Sequence, residues 1–170
     1  MLRMSAAVVR STRIPELTYN IASGILSGAI DGASILAQAG SGGRAGTKTP
    51  DGLNWWLANN PFATAVKLSS DHLRPGGPLP IGRYSIVPHE SRPNWLRLVP
   101  ESQNQMHGRA GFAVHGRGPR GSDGCIVPTD FAVVMRLHKL VKQRMANGGP
   151  QVLLDVVAIG QDLDRQLRTA

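Results

Sequence analysis

A mainly β domain is the fold class this sequence predicts, with one substantial helix late in the chain. Three observations predict it. The 170 residues include 20 Gly and 12 Pro, punctuation that suits short strands and turns better than a helical bundle. Several segments alternate apolar and polar side chains at a period of two. A single stretch, after residue 128, carries apolar residues at three-and-four spacing. The length fits one domain with a core of its own, and no repeat or second domain is visible. Residues 1–15 read as an N-terminal extension and 16–165 as the domain.

Leu17 to Ile21 and Ile25 to Ser27 read as two strands around a turn at Ser23-Gly24. Ile30 to Ala39 is apolar and rich in small residues. Gly40 to Pro50 reads as a mobile loop, and Leu53 to Ala58, with Trp55 and Trp56, as a short helix or turn stopped by Asn59-Asn60-Pro61. The proline-rich run Arg74 to Pro80 is a rigid, extended connector. Ile81 to Val87 has strand composition, with Tyr84 and Ile86 on one face and Arg83 and Ser85 on the other. Trp95 to Val99 alternates in the same way, and Gly111 to His115 forms a further strand that ends at the histidine. Thr129 or Asp130 caps the helix, whose stripe is Phe131, Val134, Leu137, Leu140, Val141 and Met145. Gly148-Gly149 end it, and Gln151 to Ile159 is a last apolar strand.

The formal net charge is +8, from 19 Lys+Arg against 11 Asp+Glu. Such a balance fits nucleic acid, an anionic envelope or membrane surface, or a carboxylate-rich substrate. The arginines lie singly in loops and aromatics make up only 5%, which argues against a nucleic-acid reader. No run approaches the ~18 apolar residues of a membrane span. At the N-terminus the apolar stretch Ala6 to Val9 is short and is followed by Arg10 and Arg13, so no export signal is expected.

The most informative segment surrounds the only cysteine, Cys125, which excludes an intramolecular disulfide. His115 stands ten positions before it, and a glycine-rich turn joins the two. Apolar Phe112 and Val114 lead in, and Ile126 and Val127 lead out. Thiol chemistry needs a base near the sulfur, backbone N–H groups facing a developing oxyanion, and rigid strands behind both. Cys125 is thus the candidate nucleophile and His115 the general base. The backbone N–H groups of Asp123, Gly124 and Cys125 are the candidate oxyanion donors. A thiol before a helix start and beside an imidazolium is expected to have a lowered pKa. Asp123 would oppose that, so it is expected to point outward. Arg117, Arg120 and Arg109 cluster around the motif, where guanidinium groups can take a carboxylate in bidentate fashion; Arg109 ranks as structural from its place on the strand. Scattered His and one Cys give no zinc-ligand spacing.

The pattern resembles the L,D-transpeptidase (YkuD-like) superfamily, through His115-Gly116 and Ser122-Asp123-Gly124-Cys125. The short His-to-Cys spacer and Asp123 depart from its mainstream enzymes. Both are closer to the type VI secretion L,D-transpeptidase effectors. That branch is matched by Tyr19 with Ser23-Gly24, by Gly77 to Tyr84, by Arg97-Leu98-Val99-Pro100, by Arg109 to Phe112, and by Ser122 to Ile126. The resemblance covers roughly residues 16 to 160. It implies a β-sandwich-like transpeptidase domain with one long helix after the catalytic cysteine. It further implies Cys125, His115 and Gly116 as catalytic positions, and adds Ser122 and Tyr84 to Arg117, Arg120 and Arg109 as substrate-binding ones. The implied substrates are peptidoglycan stem peptides, cut at the diaminopimelate–D-alanine bond. The implied partners are a cognate immunity protein and a type VI delivery component, with action in the target periplasm.

Two other classes compete. One is a non-catalytic basic module for envelope polymers or nucleic acid, with the cysteine incidental. The other is a cytoplasmic cysteine hydrolase of unrelated fold. Papain-like wall hydrolases place Cys before His, the reverse of this chain.

Overall fold

The computed structural model describes residues 12–47, 56–118 and 120–160. Eight strands and one helix follow in chain order. They are β1 Leu17–Asn20, β2 Ile25–Ile30, β3 Ala33–Ser41, β4 Gly82–Pro88, β5 Leu96–Pro100, β6 Ala113–Val114, β7 Ile126–Pro128, α1 Phe131–Ala146 and β8 Val152–Val157. The strands close into a barrel in the order β1-β2-β3-β7-β6-β5-β4-β8, with β8 returning to β1. The mainly β class holds, but the expected sandwich is replaced by a closed barrel. Closure leaves no exposed sheet edge.

The second and third strands form a hairpin through Asp31-Gly32, both at positive φ (48° and 80°). Asp-Gly is a strong two-residue hairpin signal, because both residues tolerate the left-handed region the turn requires. It explains why the small-residue stretch after Ile30 is a strand of nine residues. Its inward side chains include Ile35 and Ala39, while Leu36 between them is exposed.

The interior is filled from alternate positions of every long strand, including Leu17, Tyr19, Leu26, Ile86, Leu96, Leu98, Leu154 and Val156. Tyr84 belongs to this core. Its hydroxyl donates to Pro80 O at 2.6 Å, and its ring is fully buried. The implied substrate role for Tyr84 is therefore corrected to a packing role, because its strand face points into the barrel.

The helix starts at the Asp130 cap, whose carboxylate accepts the Ala132 N–H at 2.9 Å. Its buried residues are Val134, Leu137, Val141 and Arg144. Phe131 and Met145, expected in the stripe, are about half exposed. Arg144 occupies the inward place near the C-terminus because it brings partners with it. It bonds both Asp31 oxygens, Glu16 Oε1 at 2.9 Å and Pro150 O at 3.1 Å. Glu16 Oε2 in turn accepts the Leu153 N–H at 2.8 Å. Burial works to raise the Glu16 pKa, but the Leu153 N–H and Arg144 outweigh it, leaving the carboxyl below its ordinary value. Arg144→Met should cost at least about 2 kcal/mol in a urea melt, since it removes the bonds to Asp31, Glu16 and Pro150 O together and leaves Glu16 to Arg13. The Glu16 contribution should be complete above pH 4.5 and fade as pH falls through the lowered pKa. A melt unchanged by Arg144→Met would refute this role.

Arg13, assigned to the extension, is tied to the barrel through Glu16 and Gln151 O. The proline-rich connector is buried from Pro75 to Pro80. Residues 42–47 are also anchored, with Gly43 N–H donating to Gly76 O at 2.7 Å and Arg44 N–H to Ser122 O at 2.6 Å. The expected mobile loop is a packed shelf over its described part. Residues 48–50 and Trp55 lie outside the described residues, and Trp56 begins a turn.

Candidate active site

Two neighbouring strands of the barrel, β6 and β7, run parallel, with Val114 opposite Ile126. Parallel neighbours cannot be joined by a tight hairpin, so residues 115–125 must cross over, and this crossover carries the motif. The register places Ala113 beside Cys125. Side chains two apart on a strand share a face, so His115 lies on the face of Ala113 and Cys125, with Phe112 and Val114 turned into the core. Base and thiol therefore stand on one face, two strand steps apart, which for adjacent strands is about 8 Å between Cα atoms.

Cys125 is half-buried, and its sulfur accepts the Ala113 N–H at 3.3 Å. Burial pushes the thiol up to about 11, with the Asp123 charge adding to the rise and the Ala113 N–H opposing it. The expected lowering is thus reversed: the resting group is a thiol.

His115 is buried beneath Trp95. The two rings stack with centroids 4.1 Å apart at 12°. This is the cross-strand consequence of the pairing of Leu96 with Val114, which sets Trp95 opposite His115. His115 Nδ1 lies 2.6 Å from Gly116 O. A carbonyl only accepts, so Nδ1 carries the proton and Nε2 keeps its lone pair. Burial lowers the His115 pKa, and the Arg92 charge adds to that. The resting pair is therefore neutral thiol and neutral imidazole, suited to general-base activation at the moment of attack.

The turn between them is held by its own polar atoms. Ser122 Oγ donates to Cys125 O at 2.6 Å and accepts the Gly124 N–H at 3.1 Å. One assignment changes as a result. The Gly124 N–H is engaged and is not an oxyanion donor. Ser122 spends its hydroxyl on the turn, and the residue also lines the cleft of Cys125 and His115. Among the described residues, the Asp123 and Cys125 N–H groups have no protein acceptor. The Asp123 carboxylate does not point freely outward. It accepts the Gly76 N–H at 3.1 Å and lies 3.9 Å from Arg44 Nε.

Arg109 is buried and serves the scaffold. Its Nη1 donates to Thr64 O and Pro78 O, and its Nη2 to Gly77 O at 2.8 Å and Asp123 O at 2.9 Å. Its terminal N–H groups are spent on carbonyls, so its grouping with the substrate residues is corrected. Arg117 and Arg120 are exposed on the crossover.

A second polar seam supports the turn from below. Tyr19 donates to Asn59 Oδ1 at 2.6 Å, and that oxygen also accepts the Ser41 N–H at 2.9 Å. Ser41 Oγ then donates to Gly124 O and accepts the Leu79 N–H, both at 2.9 Å. Close approach explains two glycines. A Cβ at Gly121 would stand 2.1 Å from Arg44 O, and one at Gly124 would stand 2.4 Å from the Phe112 ring; both residues have positive φ. Gly121→Ala should dislodge the crossover, because the obstructing atom is backbone. A destabilisation of at least about 1 kcal/mol is expected, together with loss of any activity; a variant as stable as the parent would contradict the packing.

Cys125 and His115 open onto one cleft of about 390 Å³, which Lys67, Trp95 and Asp123 also line. None of His72, His89, His107 or His138 lines it. His89 instead caps a turn, its Nδ1 accepting the Ser91 and Arg92 N–H groups. Sequence reading missed Trp95, Arg92 and Lys67. Only the alternation of Trp95 against core residues Leu96 and Leu98 hinted that the indole faces out of the barrel. No three His, Cys, Asp or Glu gather as a metal would require among the described residues. No described helix is long and apolar enough to cross a membrane. No protein-family model, curated protein or solved structure matches this chain.

Proposed function

We propose that the protein is a cysteine-dependent L,D-carboxypeptidase/L,D-transpeptidase of peptidoglycan, acting on stem tetrapeptides at the diaminopimelate–D-alanine bond. One observation carries the proposal. The parallel pairing of β6 with β7 brings Cys125 and His115 to one face at one cleft, in the order and with the flanking residues of the motif. A buried structural cysteine would not need a base on its open side.

In this reaction Sγ attacks the carbonyl carbon at the L-centre of diaminopimelate, while His115 Nε2 takes the thiol proton. The oxyanion faces the Asp123 and Cys125 N–H groups. His115 returns the proton to the amide nitrogen as the C–N bond breaks, which releases D-alanine and leaves a thioester. Water then attacks, giving the tripeptide and the free thiol. A D-amino acid amine in place of water gives exchange. No cofactor enters the sequence.

The same resemblance supports an antibacterial role as a type VI secretion effector that acts in the periplasm of target cells. A delivery component and a cognate immunity protein would be its partners. Mass spectrometry of purified muropeptides incubated with the protein tests the chemistry, with release of D-alanine as the expected result. Toxicity should also depend on address. Expression in the cytoplasm of a Gram-negative host should be tolerated, and export to the periplasm should cause swelling or lysis that Cys125→Ala cures. Cytoplasmic killing by the Cys125→Ala variant would favour the basic-module alternative instead.

A further inference from the structure

We propose that a second cleft, which adjoins the first at His115 and is not lined by Cys125, is a subsite for the free C-terminal carboxylate of a peptide. It measures about 410 Å³, and its walls include Arg92, Trp95, His115, Arg117, Arg120 and Phe131. Which end of the substrate lies there rests on the acyl-transfer reading; the capture of a carboxylate does not.

Charge is the first argument. Three guanidinium groups line this cleft and no Asp or Glu does. Elsewhere on the barrel, Arg83, Arg97 and Arg144 pair with Asp155, Glu90, and Asp31 with Glu16. The cleft thus gathers three guanidinium groups with no carboxylate among its walls, while Arg120 also borders a neighbouring cleft that holds Asp71 and Asp123. Its walls are the second argument. The Arg92 guanidinium lies 4.4 Å from the Trp95 ring centroid, and Trp95 stacks on His115. Phe131 lies close enough to Gly116 that a Cβ there would meet its ring at 2.6 Å. Low-dielectric ring faces beside the arginines focus their field on a small anion. A carboxylate matches the planar guanidinium fork.

Position is the third argument. His115 is shared by both clefts. A base that takes the thiol proton and returns it to the leaving nitrogen must stand between the two. The leaving residue carries its carboxylate one residue beyond the scissile carbonyl, about 4 Å along the chain. A leaving residue held at His115 therefore has the arginine-lined cleft as its neighbour.

The test is an NMR titration of the full chain carrying Cys125→Ala, which binds without turnover. The Trp95 indole N–H, assigned through Trp95→Phe, is the reporter, with Trp56, which lines neither cleft, as internal control. N-acetyl-D-alanine should shift it saturably, and the matching carboxamide should not. Arg117→Gln and Arg120→Gln should each weaken binding roughly tenfold, as loss of a charge-assisted hydrogen bond does, and the Lys variants should restore part of it. An equal shift with the carboxamide, unchanged affinity in both Gln variants, or equally tight binding of inorganic phosphate would overturn the subsite. The two proposals fail separately. Carboxylate binding without D-alanine release by the parent protein would sink the acyl-transfer reading alone, and D-alanine release without carboxylate binding would sink the subsite alone.

Discussion

Cys125→Ala abolishes D-alanine release from muropeptides and leaves the barrel folded: this is the largest single effect expected. The thiol is the only group in the cleft that can form the thioester, and no second cysteine exists in the chain to replace it. What the fold loses is small. The side chain is half-buried, and its one hydrogen bond is the weak Ala113 N–H contact to sulfur at 3.3 Å. Stability should therefore change by less than about 1 kcal/mol, within the range of substitutions that open no large cavity. Cys125→Ser should be nearly as inactive, because a hydroxyl is a poor nucleophile without stronger base activation. Mass spectrometry and thermal denaturation of the same preparations check both halves. Cleavage that survives in either variant means the nucleophile lies elsewhere.

His115→Ala should lower kcat/KM by a factor on the order of 10² or more, the usual contribution of a positioned acid–base group. The pH profile gives the sharper reading. Burial lowers the His115 pKa from 6.5, so its neutral, proton-accepting form persists into more acid solution. The rate should rise with pH through a midpoint below 6.5. It should then stay level until the thiol itself ionises, near 11. Iodoacetamide should accordingly label the free protein slowly at neutral pH and faster as pH climbs toward 11, since the thiolate is the reacting form. His115→Ala should leave that labelling curve almost unchanged, because a neutral imidazole does not stabilise a thiolate. A labelling midpoint well below 8.5 that moves upward in His115→Ala would instead reveal a preformed thiolate–imidazolium pair.

The long-range charges follow a different logic from Cys125 and His115. Arg144 and Arg109 look alike in sequence, as single arginines near glycines, but the fold uses both as internal connectors. Arg144 holds the helix to the β1 and β2 ends through Glu16 and Asp31. Arg109 gathers carbonyls from three segments beneath the crossover. Arg117 and Arg120, by contrast, are exposed. A guanidinium is retained in an interior only where carbonyls or carboxylates meet most of its donors, and those partners come from distant parts of the chain.

Local pattern was enough to read the mainly β class, the helix with its cap at Thr129 or Asp130, and Cys125 with His115 as the candidate pair. These depend on period, capping chemistry and short spacing, all written within a few residues. The Asp31-Gly32 hairpin was equally local, and it was missed only because small residues diluted the alternation after it. Closure of the barrel was not legible, because it requires β8 to pair with both β1 and β4, and the β1 contact spans more than half the chain. The stack of Trp95 on His115, the burial that raises the thiol, and the employment of Ser122, Tyr84 and Arg109 as scaffold were decided by the same closure. Sequence alone singled out the residues that the proposed chemistry would use. Tertiary structure decided their ionisation and their neighbours, because desolvation and cross-strand register exist only once distant strands have met.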